Sequence, residues 1–140
     1  MLTVLGTLES IIFMMLSLLH FHWVFGGKWG LNTTLPTTES GEKIMNPKKA
    51  GTALVGIVLF SFAIYIFIKT NTSFPIVALL NNYGGWAITA IFFLRAIGDF
   101  KYVGFFKKIK NTPFGRMDTK YFSPLCLFIA LIGLLIELNI

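Results

Sequence analysis

Apart from Lys69, every lysine and arginine of this chain lies in residues 26–49 or residues 95–120, and long apolar runs flank both stretches. The first carries Lys28, Lys43, Lys48 and Lys49; the second carries Arg95, Lys101, Lys107, Lys108, Lys110, Arg116 and Lys120. Water gives a polypeptide no reason to sort positive charge in this way. A bilayer does, because short loops rich in Lys and Arg stay on the cytoplasmic side. The pattern predicts a multi-pass membrane protein with both termini extracytoplasmic. Composition agrees: mean hydropathy is +0.74, with 55% hydrophobic and 13% charged residues. Soluble domains hold roughly 45–50% and about 25%.

At 140 residues there is room for one integral membrane domain. The net charge of +6 does not point to nucleic acid, because no nucleic-acid-binding motif accompanies it. Anionic lipid headgroups at the cytoplasmic face are the simpler partner, at about 1 kcal/mol per basic residue near the surface. The lone cysteine, Cys126, leaves no internal disulfide and no cysteine metal cluster, and suits a small buried hydrophobe. The N-terminal apolar stretch is too long for a signal-peptide core and is expected to remain as the first span. No cofactor is implied.

Four spans are expected, over residues 2–25, 48–68, 84–105 and 119–138, with cytoplasmic loops 26–47 and 106–118. The fold class is an all-α transmembrane four-helix bundle of up-down topology. Gly26-Gly27-Lys28-Trp29-Gly30 ends the first span, and Pro47 opens the second. The third could start near Phe74, but that places Asn81-Asn82-Tyr83-Gly84-Gly85 at mid-membrane. A short interfacial helix near Pro75–Leu80, with the span starting at Gly84, keeps those groups near water. For the fourth, a start near Asp118, with Pro124 as a mild kink, gives more length than a start at Ser123.

Polar side chains in a span are costly and usually face the protein interior. At 100° per residue, Ser10, Ser17 and His20 fall within about 100° of Glu9, while His22 falls about 220° away. A polar stripe therefore runs about 16 Å along one helix face, from Glu9 to His20. His20 and His22 diverge too far to hold one metal ion, so no metal site is expected. Buried on that stripe, Glu9 would be a protonatable site. Arg95, Asp99, Tyr102 and Phe106 would share one face of span three, with Arg95 and Asp99 paired one turn apart. Gly98 and Gly104 would admit a neighbouring helix. Asp118 reads first as a helix cap, and Lys107, Lys108, Lys110 and Arg116 as a solvated or lipid-facing cluster.

The run Arg95-Ala96-Ile97-Gly98-Asp99-Phe100-Lys101-Tyr102-Val103-Gly104-Phe105-Phe106-Lys107 resembles the signature of a family of small bacterial membrane proteins, domain of unknown function 3995. Phe114, Asp118-Thr119, Tyr121 and Ser123-Pro124-Leu125-Cys126 follow in that family's order, and His20 with Trp23 and Gly26–Gly30 resemble its first-span ending. The resemblance implies a four-span inner-membrane protein with no assigned activity and no catalytic residues to carry over. His22 departs from the pattern, which has no second histidine between His20 and Trp23.

Three functions compete. The leading one is binding or translocation of a small or lipid-like ligand in a cytoplasm-facing pocket lined by His20, Trp23, Arg95, Asp99, Tyr102, Asp118 and Tyr121. Transport by so small a chain would call for a homo-oligomer. The second is an enzyme acting on a lipid or apolar substrate, with His20 as acid/base, Asp99 orienting it and Arg95 holding charge. The third is a structural role without a ligand. Orientation is directly testable: a membrane-impermeant reagent added from the periplasmic side should leave residues 26–49 unlabelled, and labelling there would reverse the topology.

Overall fold

Backbone polar groups in a long apolar run have to bond one another, and this chain does so through helices. The structure, a computed structural model, describes residues 1–74 and 78–140. Helix α1 spans Leu2–Val24, α2 Leu31–Thr34, α3 Lys49–Asn71, α4 Ala78–Ile97, α5 Pro113–Met117 and α6 Ser123–Leu138. A π-helical turn, Asp118–Phe122, joins α5 to α6. Among the described residues there is no strand, only one antiparallel bridge between Thr37 and Lys43. Three helical stretches are long and apolar enough to cross a membrane: Leu2–Val24, Lys49–Asn71 and Pro113–Leu138.

The first two match the expected ranges closely. The later elements do not. Helix α4 occupies Ala78–Ile97 rather than residues 84–105. Asn81 to Gly85 therefore lie within its first turns, while Pro75 to Val77 fall outside the described residues. The helix tolerates this polar opening because the side chains of Asn81, Asn82 and Tyr83 are exposed. Its other end is set by Gly98, whose φ of 89° provides the left-handed residue that commonly ends a helix. The fourth helical stretch starts at Pro113, earlier than residue 119. Thr112, not Asp118, caps it, its hydroxyl accepting the Gly115 N–H at 2.9 Å. Pro124 lacks an N–H and crowds the preceding turn. The widened π turn just before it absorbs that mismatch.

Helix α1 packs chiefly on α3, and α4 on α6; α1–α6 and α3–α4 contacts join the two pairs. Phe13 sits at the centre, with Phe62 at 5.8 Å edge-on and Phe92 at 5.2 Å. Leu59, Ala63, Ile66, Ile88, Ile129 and Ile136 surround it. The polar stripe of α1 does face inward: Glu9, Ser10 and Ser17 are buried. Ser17 donates to the Gly56 carbonyl across the helix boundary at 2.8 Å.

At one end of the bundle Lys69 of α3 meets Glu137 of α6, Nζ to the two carboxylate oxygens at 2.6 and 2.8 Å. Their side chains are only 1% and 4% exposed, so neither reaches solvent as an interfacial residue would. Lys69 Nζ also donates to the Asn81 carbonyl at 3.1 Å, which ties α3 to the start of α4. Lys69→Met should lower stability by about 3–5 kcal/mol because it strands a buried carboxylate. Lys69→Met with Glu137→Met should recover most of that loss, and thermal unfolding of both variants in detergent would measure the difference.

Candidate functional site

The opposite end of the bundle is organised by one carboxylate. Asp118, on the π turn, is fully buried. Its Oδ1 accepts from Arg95 Nη2 at 2.8 Å. Its Oδ2 accepts from the Gly104 N–H at 2.9 Å, Lys107 Nζ at 2.9 Å and Ser123 Oγ at 3.0 Å. Lys107 is as buried as its partner, and donates also to the Gly104 carbonyl at 2.9 Å and Thr119 Oγ1 at 2.6 Å. All three protons of that ammonium are thereby used. Lys107 thus departs from the solvated cluster expected of the basic run; Lys108, Lys110 and Arg116 are exposed.

Between Gly98 and Lys107 the chain forms a closed loop, not the end of a helix. Asp99 accepts three backbone N–H bonds on one oxygen, from Lys101, Tyr102 and Val103 at 2.9, 2.7 and 2.9 Å. These bonds draw the backbone away from helix, as short acidic side chains do in turns. The Phe105 N–H returns to the Ala96 carbonyl at 2.8 Å and seals the loop against α4. Gly98 and Gly104 make the closure possible: a Cβ on Gly98 would run into the Val103 carbonyl, and one on Gly104 into that of Ile97. They admit the loop's own backbone rather than a neighbouring helix. Asp99 is exposed; what burial it has acts to raise its pKa, but the Val103, Lys101 and Tyr102 amides prevail and hold it below the usual carboxylate value.

The expected Arg95–Asp99 pair is therefore absent, because α4 ends at Ile97 and Asp99 turns onto its own loop. Arg95 reaches Asp118 instead, which leaves Nη1 buried and, among the described residues, without a hydrogen-bond partner. Arg95 is one of the residues that line a cavity of about 370 Å³. Leu16 and Leu19 of α1, Val55 of α3, and Leu125 and Ile129 of α6 form apolar walls. Segment 26–47 also lines it, through Leu31, Thr34, Leu35, Met45 and Pro47.

Of the residues expected to line a pocket, His20, Trp23 and Arg95 do so. His20 Nδ1 donates to the Leu16 carbonyl at 2.7 Å. Trp23 packs against His20 at 5.1 Å and donates its indole N–H to the Trp29 carbonyl at 2.8 Å. Asp118 stands behind Arg95, outside the lining. Asp99, Tyr102 and Tyr121 lie away from the cavity, the two tyrosines beneath Lys101 and Lys120. Lys107 was missed from sequence. The signal available was that Asp118 is the only acid between residues 100 and 120, amid a crowd of cations. Among the described residues no three His, Cys, Asp or Glu side chains converge on a common point.

Asp118→Asn should cost about 3–5 kcal/mol of stability, since it leaves the buried Lys107 charge without its counter-ion. Asp118→Asn combined with Lys107→Met should lose less; unfolding in detergent distinguishes the two.

The sequence model of one family, described as protein of unknown function (DUF3995), matches residues 13–133. No curated protein matches the chain, and no solved structure does.

Proposed function

Since the chain belongs to this family of proteins of unknown function (DUF3995), whose description assigns no activity, we propose from its geometry that it is a multi-pass inner-membrane protein binding an anionic amphiphile. One observation carries the reading: Arg95 lines a mostly apolar cavity, and its Nη1 is buried and unpartnered among the described residues. A guanidinium donor left without an acceptor is costly in such a place. A carboxylate or phosphate head in the cavity would complete it with a charge-assisted bond, and the leucine-rich walls suit an alkyl chain. Asp118 already fixes the other arm of the guanidinium, so the donor is pre-oriented. The cavity volume lies near the lower end of the range for small-ligand sites, roughly 300–1,000 Å³.

The bundle's orientation follows from its charge. The end bearing the 26–49 and 95–120 segments faces the cytoplasm, and both termini lie outside. Helix α4 serves as the fourth crossing; its 20 residues give about 30 Å at 1.5 Å each, enough for a bilayer core. The cavity then opens at the cytoplasmic end, with segment 26–47 as part of its lining. An enzymatic reading is less well supported, because the Asp99 oxygen meant to orient His20 is spent on three amides and the Leu16 carbonyl orients His20 instead.

Arg95→Lys keeps a positive charge for Asp118 but removes the second donor arm. It should weaken binding of a long-chain alkyl phosphate by about tenfold or more, the scale of one charge-assisted hydrogen bond. Binding of the corresponding uncharged alcohol should not change. Native mass spectrometry of both proteins from detergent micelles reads the retained ligand, and equal phosphate retention would overturn the assignment.

A further inference from the structure

The Arg95 cavity leaves one buried acid without a role. Glu9 of α1 is fully buried, and among the described residues neither of its carboxyl oxygens has a hydrogen-bond partner. Thr89 Oγ1 of α4 is buried and unpartnered as well. Both groups approach Gly133 of α6: a Cβ built there would collide with Thr89 Oγ1 and lie 3.4 Å from Glu9 Oε1. The missing side chain of Gly133 thus lets the two polar groups approach one point between three helices.

Among the described residues no cation pairs with Glu9. The neighbouring Ser10 hydroxyl is committed to the Gly6 carbonyl at 2.7 Å. The charged groups that α3 and α6 bring to this half of the bundle, Lys69 and Glu137, are bound to each other, and the Tyr65 hydroxyl of α3 donates to the Leu80 carbonyl at 2.8 Å. Of the polar residues on this half of α4, Asn81, Asn82 and Tyr83 are exposed and Thr89 is buried. The contrast with Asp118 is direct, because that carboxylate has two cations and two further donors around it. A bare carboxylate in such a setting is strongly disfavoured, whereas a neutral acid is tolerated.

We propose that Glu9, facing Thr89 across Gly133, is an intramembrane proton-binding site. The carboxyl rests as the neutral acid. Its O–H bond breaks only when the helices part enough to admit water, the electron pair staying on the carboxylate and the proton leaving on the water. The site depends on helix packing alone and stands apart from the ligand cavity at the other end of α1.

The test uses the full chain in detergent micelles and the apolar reagent dicyclohexylcarbodiimide, which reacts with protonated carboxyls. The acid proton passes to a carbodiimide nitrogen while the carboxyl oxygen adds to the central carbon. Rearrangement then leaves an N-acylurea with no leaving group. Peptide mapping should place the adduct on Glu9, with loss of the adduct in Glu9→Gln, decreasing yield as pH rises, and no protection by sodium ions. Infrared difference spectra of wild type against Glu9→Asp and Glu9→Gln should show a protonated-carboxyl carbonyl band that shifts in the first and is lost in the second. An adduct confined to Glu137 or Asp118, protection by sodium, or absence of a Glu9-dependent carbonyl band would each overturn the proposal.

Discussion

The Asp118 carboxylate is the interaction on which this end of the molecule depends. It takes Arg95 from the end of α4, Gly104 and Lys107 from the 98–107 loop, and Ser123 from the start of α6. A charge buried this far from water is tolerable only when its lone pairs are filled. Each donor is therefore held as firmly as the acid itself. The π turn that carries Asp118 also accommodates Pro124, so one irregularity solves both a backbone and an electrostatic problem. The cavity follows from this arrangement. With one guanidinium nitrogen bound to Asp118, the other is buried without a partner among the described residues, and Arg95 lines the cavity.

The two ends of the bundle use the same chemistry for different purposes. The Lys69–Glu137 pair closes on itself and fastens α3, α4 and α6 together. The Asp118 network leaves Arg95 Nη1 unpartnered among the described residues, and Arg95 also lines the cavity. Between them the helices rely on packing around Phe13 and on isolated bonds such as Ser17 to Gly56. In a membrane an interhelical hydrogen bond of that kind averages about 0.6 kcal/mol, and lipid supplies no hydrophobic drive for association. Disrupting a buried ion pair costs several times more. Charge therefore decides where the helices end and which neighbours they take, while van der Waals contact fills the middle.

Much of the architecture was legible in advance. The apolar runs of α1 and α3, the inward stripe from Glu9 to Ser17 and the outward His22 follow from helical periodicity, which needs no tertiary information. The resemblance over residues 95–107 was also legible, and the family match bears it out. Its local conformation was not. Arg95, Asp99 and Tyr102 have helical spacing, yet the Asp99 carboxylate competes for backbone N–H groups and Gly98 leaves the helical region. Spacing describes which side chains would align if the helix continued; it does not say whether it continues.

The chain's own order of residues determined that it is helical, how its positive charge is divided and which face of α1 is polar, because these depend on neighbours within a few turns. The tertiary structure decided that Lys107 is buried, that Arg95 answers to Asp118 rather than Asp99, and that segment 26–47 lines a cavity. Lys107 and Asp118 are 11 residues apart and Arg95 and Asp118 are 23, and the cavity is lined from separate elements. A buried charge takes whichever partner the fold brings within 3 Å, and sequence separation carries no information about that distance.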